Sequence, residues 1–346
     1  MEEFDNNSRC LYLGIDVGMF KTSVCTSDGK KFSERTAIAF LQKDSEDPEE
    51  SILSGKEAVA LENGTIQYFL KSELKEEDDV LHFKKFLKHF LNKHAVNPAK
   101  DSTYAMIGVP SNAGREYKIK LLELFSEIFS GAMVVDELFC IAYKKSLLEG
   151  GLIVDIGSHK TDICVINSNI PQEDDCLSLP CAGKNIDSEI VKLINERWPD
   201  SRITEELAMG WKEEYGYLGS CSDQCVVDIP LENGTIQESI AEEMQISCEF
   251  VLTDVVSGIT RMLSDVDPEI RESIRNNIHI FGGTSNLPGL GTFIEHELKE
   301  LGGGKVFLDL DSTFGISEGA LELARNMPLE FWQQLRAGKQ DKELIL

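Results

Sequence analysis

Two ten-residue stretches of this chain carry the same polar residues at the same spacing. Asp16, Gly18, Lys21, Thr22 and Cys25 realign with Asp155, Gly157, Lys160, Thr161 and Cys164. One Asp-x-Gly is a weak signal, because most are simple turns; a matched pair is a stronger one. The glycine lets backbone N–H groups approach phosphate oxygens closely. The carboxylate would repel phosphate, so it makes sense there only through Mg2+ or the water bound to it. Two such turns facing each other would hold a triphosphate from both sides, with Asp16 and Asp155 as the metal carboxylates.

A third segment offers a place for the nucleoside. Residues 278–281 are apolar, Gly282 and Gly283 have almost no side-chain bulk, and a capped helix start follows. The glycines would let a flat base lie against the backbone. Thr284 and Ser285 could donate to phosphate or ribose.

Both Asp-x-Gly turns follow an apolar strand, at 11–15 and 152–154, and run into a second strand of β-branched character. Each is therefore predicted as strand, tight turn, strand. The rest of the first half reads as strands within 8–36, an insert over 37–79, and a helix near 80–96. The apolar stripe of that helix is Leu81, Phe83, Phe86, Leu87, Phe90 and Leu91. A buried strand at 104–109 is ended by Pro110. A helix at 114–130, a short strand at 133–135 and a helix at 137–148 complete this half.

Gly150-Gly151 then reads as a hinge. Beyond it come the repeated hairpin, a helix from Asp187, an insert at about 200–238, a long helix near 240–263 and the strand at 278–281. The word Leu-Glu-Asn-Gly-Thr-Ile-Gln occurs at 61–67 and again at 231–237. Its Asn-Gly is a turn signal with a long helical pattern after it, as though one turn served two smaller subdomains. The domains are expected at 1–149 and 150–346, with a C-terminal helix at 328–338 able to pack back on the first.

Composition narrows the class. The 346 residues include 60 Asp and Glu against 34 Lys and Arg, a formal charge of −26. So acidic a surface repels DNA, RNA and anionic lipid, which argues against a nucleic-acid partner. No apolar run reaches the roughly 18 residues of a membrane span. The N-terminus has neither a signal-peptide pattern nor the basic apolar face of a surface helix, so a cytoplasmic protein without direct membrane insertion is expected. The nine cysteines are scattered. Cys221 and Cys225 lack a histidine partner, and the thiols read as reduced rather than metal-binding. The acidic runs at 44–50 and 73–79 read as solvated loops, and His82 and His89 as surface residues of one helix.

The three segments resemble the phosphate-1, phosphate-2 and adenosine motifs of the superfamily of actin, sugar-kinase and heat-shock-chaperone ATPases. Residues 282–289 are very similar to the adenosine segment of actin. Trp211 to Leu218 resembles the actin-family stretch whose lysine and glutamate, here Lys212 and Glu213, contact adenine and ribose. Ala182 to Asp187 resembles the loop after the second phosphate hairpin, which adds Gly183 and Asp187 to the nucleotide residues. Order, spacing and coverage resemble bacterial actin-like filament proteins. The segments 311–315 and 328–335 are most similar to the magnetosome-associated subfamily.

The resemblance implies an α/β, duplicated actin-like (ribonuclease H-like) fold: two domains, each with a smaller inserted subdomain, and ATP or ADP with Mg2+ in the central cleft. It implies an ATPase that polymerises with copies of itself into cytoplasmic filaments, organising or positioning magnetosomes, with magnetosome-associated proteins as further partners. Glu137 matches the residue that orients the attacking water, and with Asp155 would be catalytic. A small-molecule kinase or a binding-only scaffold on the same fold is the alternative. Met19, Phe20, His159 and Lys160 depart from the family pattern by removing hydroxyl donors and a glycine, so slow turnover is expected. Lys21 and Lys160 either place compensating positive charge on the phosphates or point outward as surface lysines. With so acidic a surface, assembly is expected to be helped by salt or divalent cations.

Overall fold

The computed structural model describes residues 10–41, 52–61, 65–68, 74, 77–98, 102–168, 171–219, 225–309 and 312–336. The acidic run at 44–50, Cys221 and the final apolar 344–346 lie outside them. Contacts divide the chain into two units, one reaching Lys145 and resuming at Thr313, the other spanning Ser146–Ser312.

The first unit opens with β1 (Leu11–Val17), β2 (Lys21–Thr26) and β3 (Lys31–Arg35), an antiparallel meander. A small three-stranded sheet follows, from β4 (Ala37–Phe40), β5 (Ile52–Ser54) and β6 (Thr65–Tyr68), with α1 (Gly55–Val59) beside it. Then come α2 (Glu77–Lys93), β7 (Thr103–Val109), α3 (Arg115–Ser126), β8 (Gly131–Asp136) and α4 (Glu137–Lys144). β7 pairs in parallel with β1 and β8, giving a five-stranded sheet in the order β3-β2-β1-β7-β8. Every residue of β7 is buried, as expected for a central strand covered on both faces.

α2 buries Phe83, Phe86, Leu87, Phe90 and Leu91, which share one helical face. Leu81, expected in that stripe, is 47% exposed, because two residues before Phe83 is nearly the opposite side of the helix.

The second unit repeats this plan. β9 (Gly151–Ile156), β10 (Thr161–Ile166) and β11 (Cys176–Leu179) are antiparallel, followed by α5 (Gly183–Arg197) and α6 (Glu205–Tyr215). The hairpin of β12 (Val226–Leu231) and β13 (Gly234–Ser239) leads to α7 (Ala241–Asp265) and α8 (Pro268–Arg275). β14 (Ile278–Phe281), α9 (Leu290–Glu297) and β15 (Val306–Leu308) complete a sheet ordered β11-β10-β9-β14-β15. β14 runs parallel to β9 and β15, as β7 does to β1 and β8. The repeat in sequence is thus a repeat in topology, and the two mixed sheets with their helices form the duplicated α/β fold.

Some local boundaries differ from expectation. α5 starts at Gly183 rather than Asp187, because Asn185 Oδ1 accepts from Ala182 N at 2.9 Å and closes the first turn early. Gly282-Gly283 leads into a short 3-10 turn, and α9 begins only at Leu290 behind a left-handed Gly289, with no side-chain cap. The recurring Asn-Gly word passes into strands β6 and β13 before any helix, and at 231–237 it forms a hairpin turn.

The chain from Thr313 onward returns to the first unit, so the second unit ends at Ser312 and not at the C-terminus; of this return the sequence anticipates only the C-terminal helix. α10 (Gly315–Asn326) lies against β1 with its backbone almost touching the strand. A Cβ on Gly14 would stand 1.9 Å from Ser317 O. α11 (Leu329–Arg336) seats Trp332, fully buried, on Tyr104 with ring centroids 5.3 Å apart. The Trp332 indole N–H donates to Ala324 O at 3.2 Å, so Phe331, Trp332 and Leu335 pack on the body.

Candidate functional site

In the first unit, strand alternation decides what Asp16 faces. Leu13, Ile15 and Val17 point into the core shared with α2 and α3, which puts Gly14 and Asp16 on the α10 side. Ser23 stands opposite Asp16 in the β1–β2 register, and its Oγ donates to Asp16 Oδ2 at 3.3 Å. Ser23 Oγ is also 3.1 Å from Ser317 Oγ on α10, so a helix 294 residues away in sequence braces the carboxylate.

Gly18 makes the turn possible, since a Cβ there would be 2.6 Å from Lys21 O. Thr36 Oγ1 donates to Gly18 O at 2.7 Å and lies 2.9 Å from Thr22 Oγ1. Thr22 is fully buried, so its hydroxyl closes the hairpin instead of facing a ligand. Lys21 Nζ donates to Thr313 Oγ1 at 3.2 Å; burial pulls its pKa down, and the Asp16 charge opposes that. Lys21 is therefore held near the Asp16 carboxylate and is not an outward surface lysine. Phe20 lies under the Arg35 guanidinium, 3.5 Å from the ring centroid, and Met19 packs on the core.

Glu137 is the first residue of α4, directly after β8, and only 6% exposed. Gly108 of β7 lies beside it and makes room for Ile316 of α10: a Cβ there would be 2.5 Å from Ile316 Cγ2. Asp136 caps the helix, accepting from Leu138 N at 2.8 Å and Phe139 N at 3.1 Å. Burial pushes the Tyr117 hydroxyl well up, and the charge of Glu137 adds to it. The Cys140 thiol is raised by burial, then by Asp136, Glu137 and Asp16. The metal candidate and the water-orienting candidate of this unit thus share one electrostatic neighbourhood.

In the second unit the counterpart of Ser23 is Asp162, opposite Asp155 across β9 and β10. Asp162 is buried, accepts from Ser178 Oγ at 2.6 Å, and is ion-paired with Lys160. Lys160, offered either to phosphate or to solvent by the sequence, is taken by this carboxylate. Burial and then the Asp162 charge push Asp155 up to about 6, with Lys160 working against both.

Backbone groups gather around the turn. Gly157 O accepts from Gly183 N at 3.1 Å and from Thr284 Oγ1 at 3.3 Å. Lys212 Nζ donates to Gly183 O at 2.8 Å and pairs with Asp187 Oδ1 at 2.7 Å. Burial raises the Asp187 carboxyl while Lys212 lowers it. Glu213, next to Lys212, is exposed. Side chains are excluded at two places. A Cβ on Gly183 would meet Thr284 Oγ1 at 3.1 Å and Lys212 Nζ at 3.2 Å. One on Gly282, whose φ is +89°, would be 2.3 Å from Ile156 O and 2.4 Å from Asp155 Oδ1. Gly283 has nothing within 4 Å of such a Cβ.

Some expected donors are occupied. Ser285 is fully buried, donates to Gly282 O at 2.8 Å and lies 3.1 Å from Asp309 O. Thr161 is fully buried and donates to Cys181 O at 2.7 Å. With the Thr284 contact to Gly157 O, these hydroxyls hold the loops together, and what the loops present is chiefly backbone. His159 Nδ1 lies 2.7 Å from Ser158 Oγ; burial and then Lys184 lower its pKa against Glu205.

The residues fit a metal–nucleotide of modest protein ligation. Among the described residues no three acidic, histidine or cysteine side chains cluster as a metal cage. Mg2+ bound mainly by phosphate and water needs only one or two carboxylates. Asp155, partly exposed at the end of β9 beside a glycine wall that Cβ atoms would fill, is placed to serve as such a carboxylate. Asp162 and Ser23 escaped the sequence reading, although each lies seven residues after its aspartate, the spacing that puts them opposite in a tight hairpin. Thr36, Thr313 and Ser317 left no such local signal.

A family model described as MreB/Mbl protein matches residues 11–302. The actin-like protein MamK of Magnetospirillum gryphiswaldense is 30% identical over 339 residues, covering 94% of this chain and 92% of the relative. A solved MamK double helical filament is 28% identical, with a TM-score of 0.85 over 92% of this chain and 100% of that one. A non-polymerising MamK mutant bound to AMPPNP is also 28% identical, with a TM-score of 0.76 over the same shares. No described helix is long and apolar enough to cross a membrane.

Proposed function

We propose, from the premise that the chain belongs to the MreB/Mbl family of bacterial actin-like proteins, that it binds ATP with Mg2+, hydrolyses it slowly and polymerises. The observation that carries the reading is the pair of Asp-x-Gly hairpins at the same position of two topologically identical sheets. Each hairpin would engage nucleotide phosphate, with Asp16 and Asp155 as the carboxylates that would hold the metal through water. Gly18, Gly157, Gly183, Gly282 and Gly283 would offer backbone, and Lys212, Asp187 and Glu213 would face the nucleoside. Bound Mg2+ would neutralise charge on the phosphates. Glu137 would accept a proton from, and so aim, the attacking water.

Slow turnover has a structural rationale. The hydroxyls of Thr22, Thr161 and Ser285 are committed to the protein, and Lys160 is tied to Asp162. Few side-chain donors remain for charge that develops on the transferred phosphoryl group. Self-assembly draws on the likeness to the MamK filament, and head-to-tail contacts would give open strands. A role in organising or positioning magnetosomes is the finer reading, supported by the MamK relatives.

The decisive experiment is negative-stain microscopy and sedimentation of the purified protein with Mg-ATP. Filaments that require nucleotide and metal are expected, with scattering that rises from low to physiological salt. Sedimentation unaltered by nucleotide, with ATP consumption stimulated by a sugar or acid, would point to a kinase instead. Glu137→Ala should slow phosphate release by roughly 100-fold or more while changing nucleotide affinity little. Phosphate release at the parent rate would remove Glu137 from the chemistry.

A further inference from the structure

The strands of the second hairpin also bring together two sulfur atoms that nucleotide binding does not use. β10 and β11 are antiparallel, and Cys164 stands directly opposite Cys176 in their register. The two Sγ atoms are 3.0 Å apart. Cys164 is buried and Cys176 is partly exposed. We propose that Cys164 and Cys176 form a redox-active dithiol, which a small-molecule disulfide of the oxidised-glutathione class converts to an intramolecular disulfide.

Geometry favours closure. Directly opposed residues of an antiparallel pair hold their Cβ atoms about 4.5–5.5 Å apart, and a disulfide needs about 3.5–4.5 Å. Bridging therefore asks for a small approach of β11, which is the edge strand of its sheet and has no further strand to drag along. The matching cysteine of the first hairpin shows that the pairing is not a by-product of the repeat. Cys25 faces Lys31 across β2 and β3, and its Sγ lies 3.3 Å from Ser317 Oγ. The remaining partly exposed thiol of the hairpin region, Cys181, lies past the end of β11.

The chemistry balances as ordinary thiol–disulfide exchange. The thiolate of Cys176, the more accessible of the pair, attacks one sulfur of the small disulfide and expels one small thiol. Cys164 then loses its proton and attacks the Cys176 sulfur of the mixed disulfide, expelling the second. Two protein thiols are oxidised and one disulfide is reduced to two thiols, so no other oxidant is needed. The bond closes the loop between β10 and β11 and constrains the unfolded chain, which raises stability. In a reducing compartment the pair rests as thiols and closes only under oxidising challenge.

The test needs no nucleotide, so it stands or falls separately from the proposed function. Folded full-length protein is incubated with oxidised glutathione, quenched in acid, unfolded, alkylated and peptide-mapped, and its thermal midpoint is followed. The expected result is a Cys164–Cys176 cross-link that escapes alkylation, with a midpoint raised by several degrees and restored by dithiothreitol. Alkylation of both thiols, a lasting glutathione adduct on Cys176, or a Cys176–Cys181 link would each overturn the proposal. Cys176→Ser should leave Cys164 open to alkylation and abolish the midpoint shift, whereas Cys181→Ser should keep both the link and the shift. An equal shift in Cys176→Ser would place the stabilisation elsewhere and sink the idea.

Discussion

The two phosphate-type hairpins share their pattern and differ in one facing residue. Ser23 lies opposite Asp16, and Asp162 lies opposite Asp155. In the first hairpin a neutral hydroxyl donates to the carboxylate, and Lys21 goes to Thr313 while remaining in the field of Asp16. In the second, an extra carboxylate captures Lys160 and helps push Asp155 up to about 6. Identical turn residues therefore do not imply identical electrostatics: burial is the larger influence on Asp155, and the carboxylate across the ladder adds to it where the first hairpin has a neutral hydroxyl.

The largest expected way to break this asymmetry is through Asp155. Its folded-state pKa lies above the unfolded value, so the folded protein holds the proton more tightly. The stability this confers is full below the unfolded pKa and is lost as pH rises through about 6. Asp155→Asn should then stabilise the nucleotide-free protein at pH 7, by at most about 3 kcal/mol in a urea titration, while weakening Mg-ATP binding. In the parent, Mg-ATP affinity should fall as pH drops below about 6, where the proton competes with the cation. Asp162→Ser, which copies the first hairpin, should move that fall to lower pH; an unmoved profile would detach Asp155 from Asp162.

The turn glycines sharpen the comparison at a smaller scale. A Cβ at Gly18 meets backbone at 2.6 Å, whereas one at Gly157 meets it at 3.2 Å. Gly18→Ala should cost about 2 kcal/mol and Gly157→Ala under about 1 kcal/mol, read from urea midpoints. Equal costs would mean that the second turn is as rigid as the first. The smallest effect concerns the lysines. Lys21→Ala should weaken ATP binding by a few-fold, and Lys160→Ala by less, because Asp162 already neutralises Lys160. The reverse order in a fluorescent-nucleotide titration would return Lys160 to the phosphates.

Much of the fold was legible from local pattern. Apolar runs ending in Asp-x-Gly gave both hairpins, and spacing at 83, 86, 87, 90 and 91 gave the buried face of α2. Less of the site was legible. Thr22, Thr161 and Ser285 look like ligand donors by type, but each is sealed in the body, where a hydroxyl without a partner would be costly. The turn to the first unit at Thr313 was also hidden, because nothing near that residue signals which sheet the following helix will cover.

Sequence alone determined the duplication, the two strand–turn–strand units and the acidic surface, since alternation, turn chemistry and charge are properties of neighbouring residues. Tertiary structure alone decided which charged groups are free to meet a ligand. Ser317 braces Ser23, Thr313 accepts from Lys21, Ser178 donates to Asp162, and burial with the Asp162 charge raises Asp155. Those outcomes depend on desolvation and on partners brought from distant parts of the chain, and neither is written in the spacing of adjacent residues.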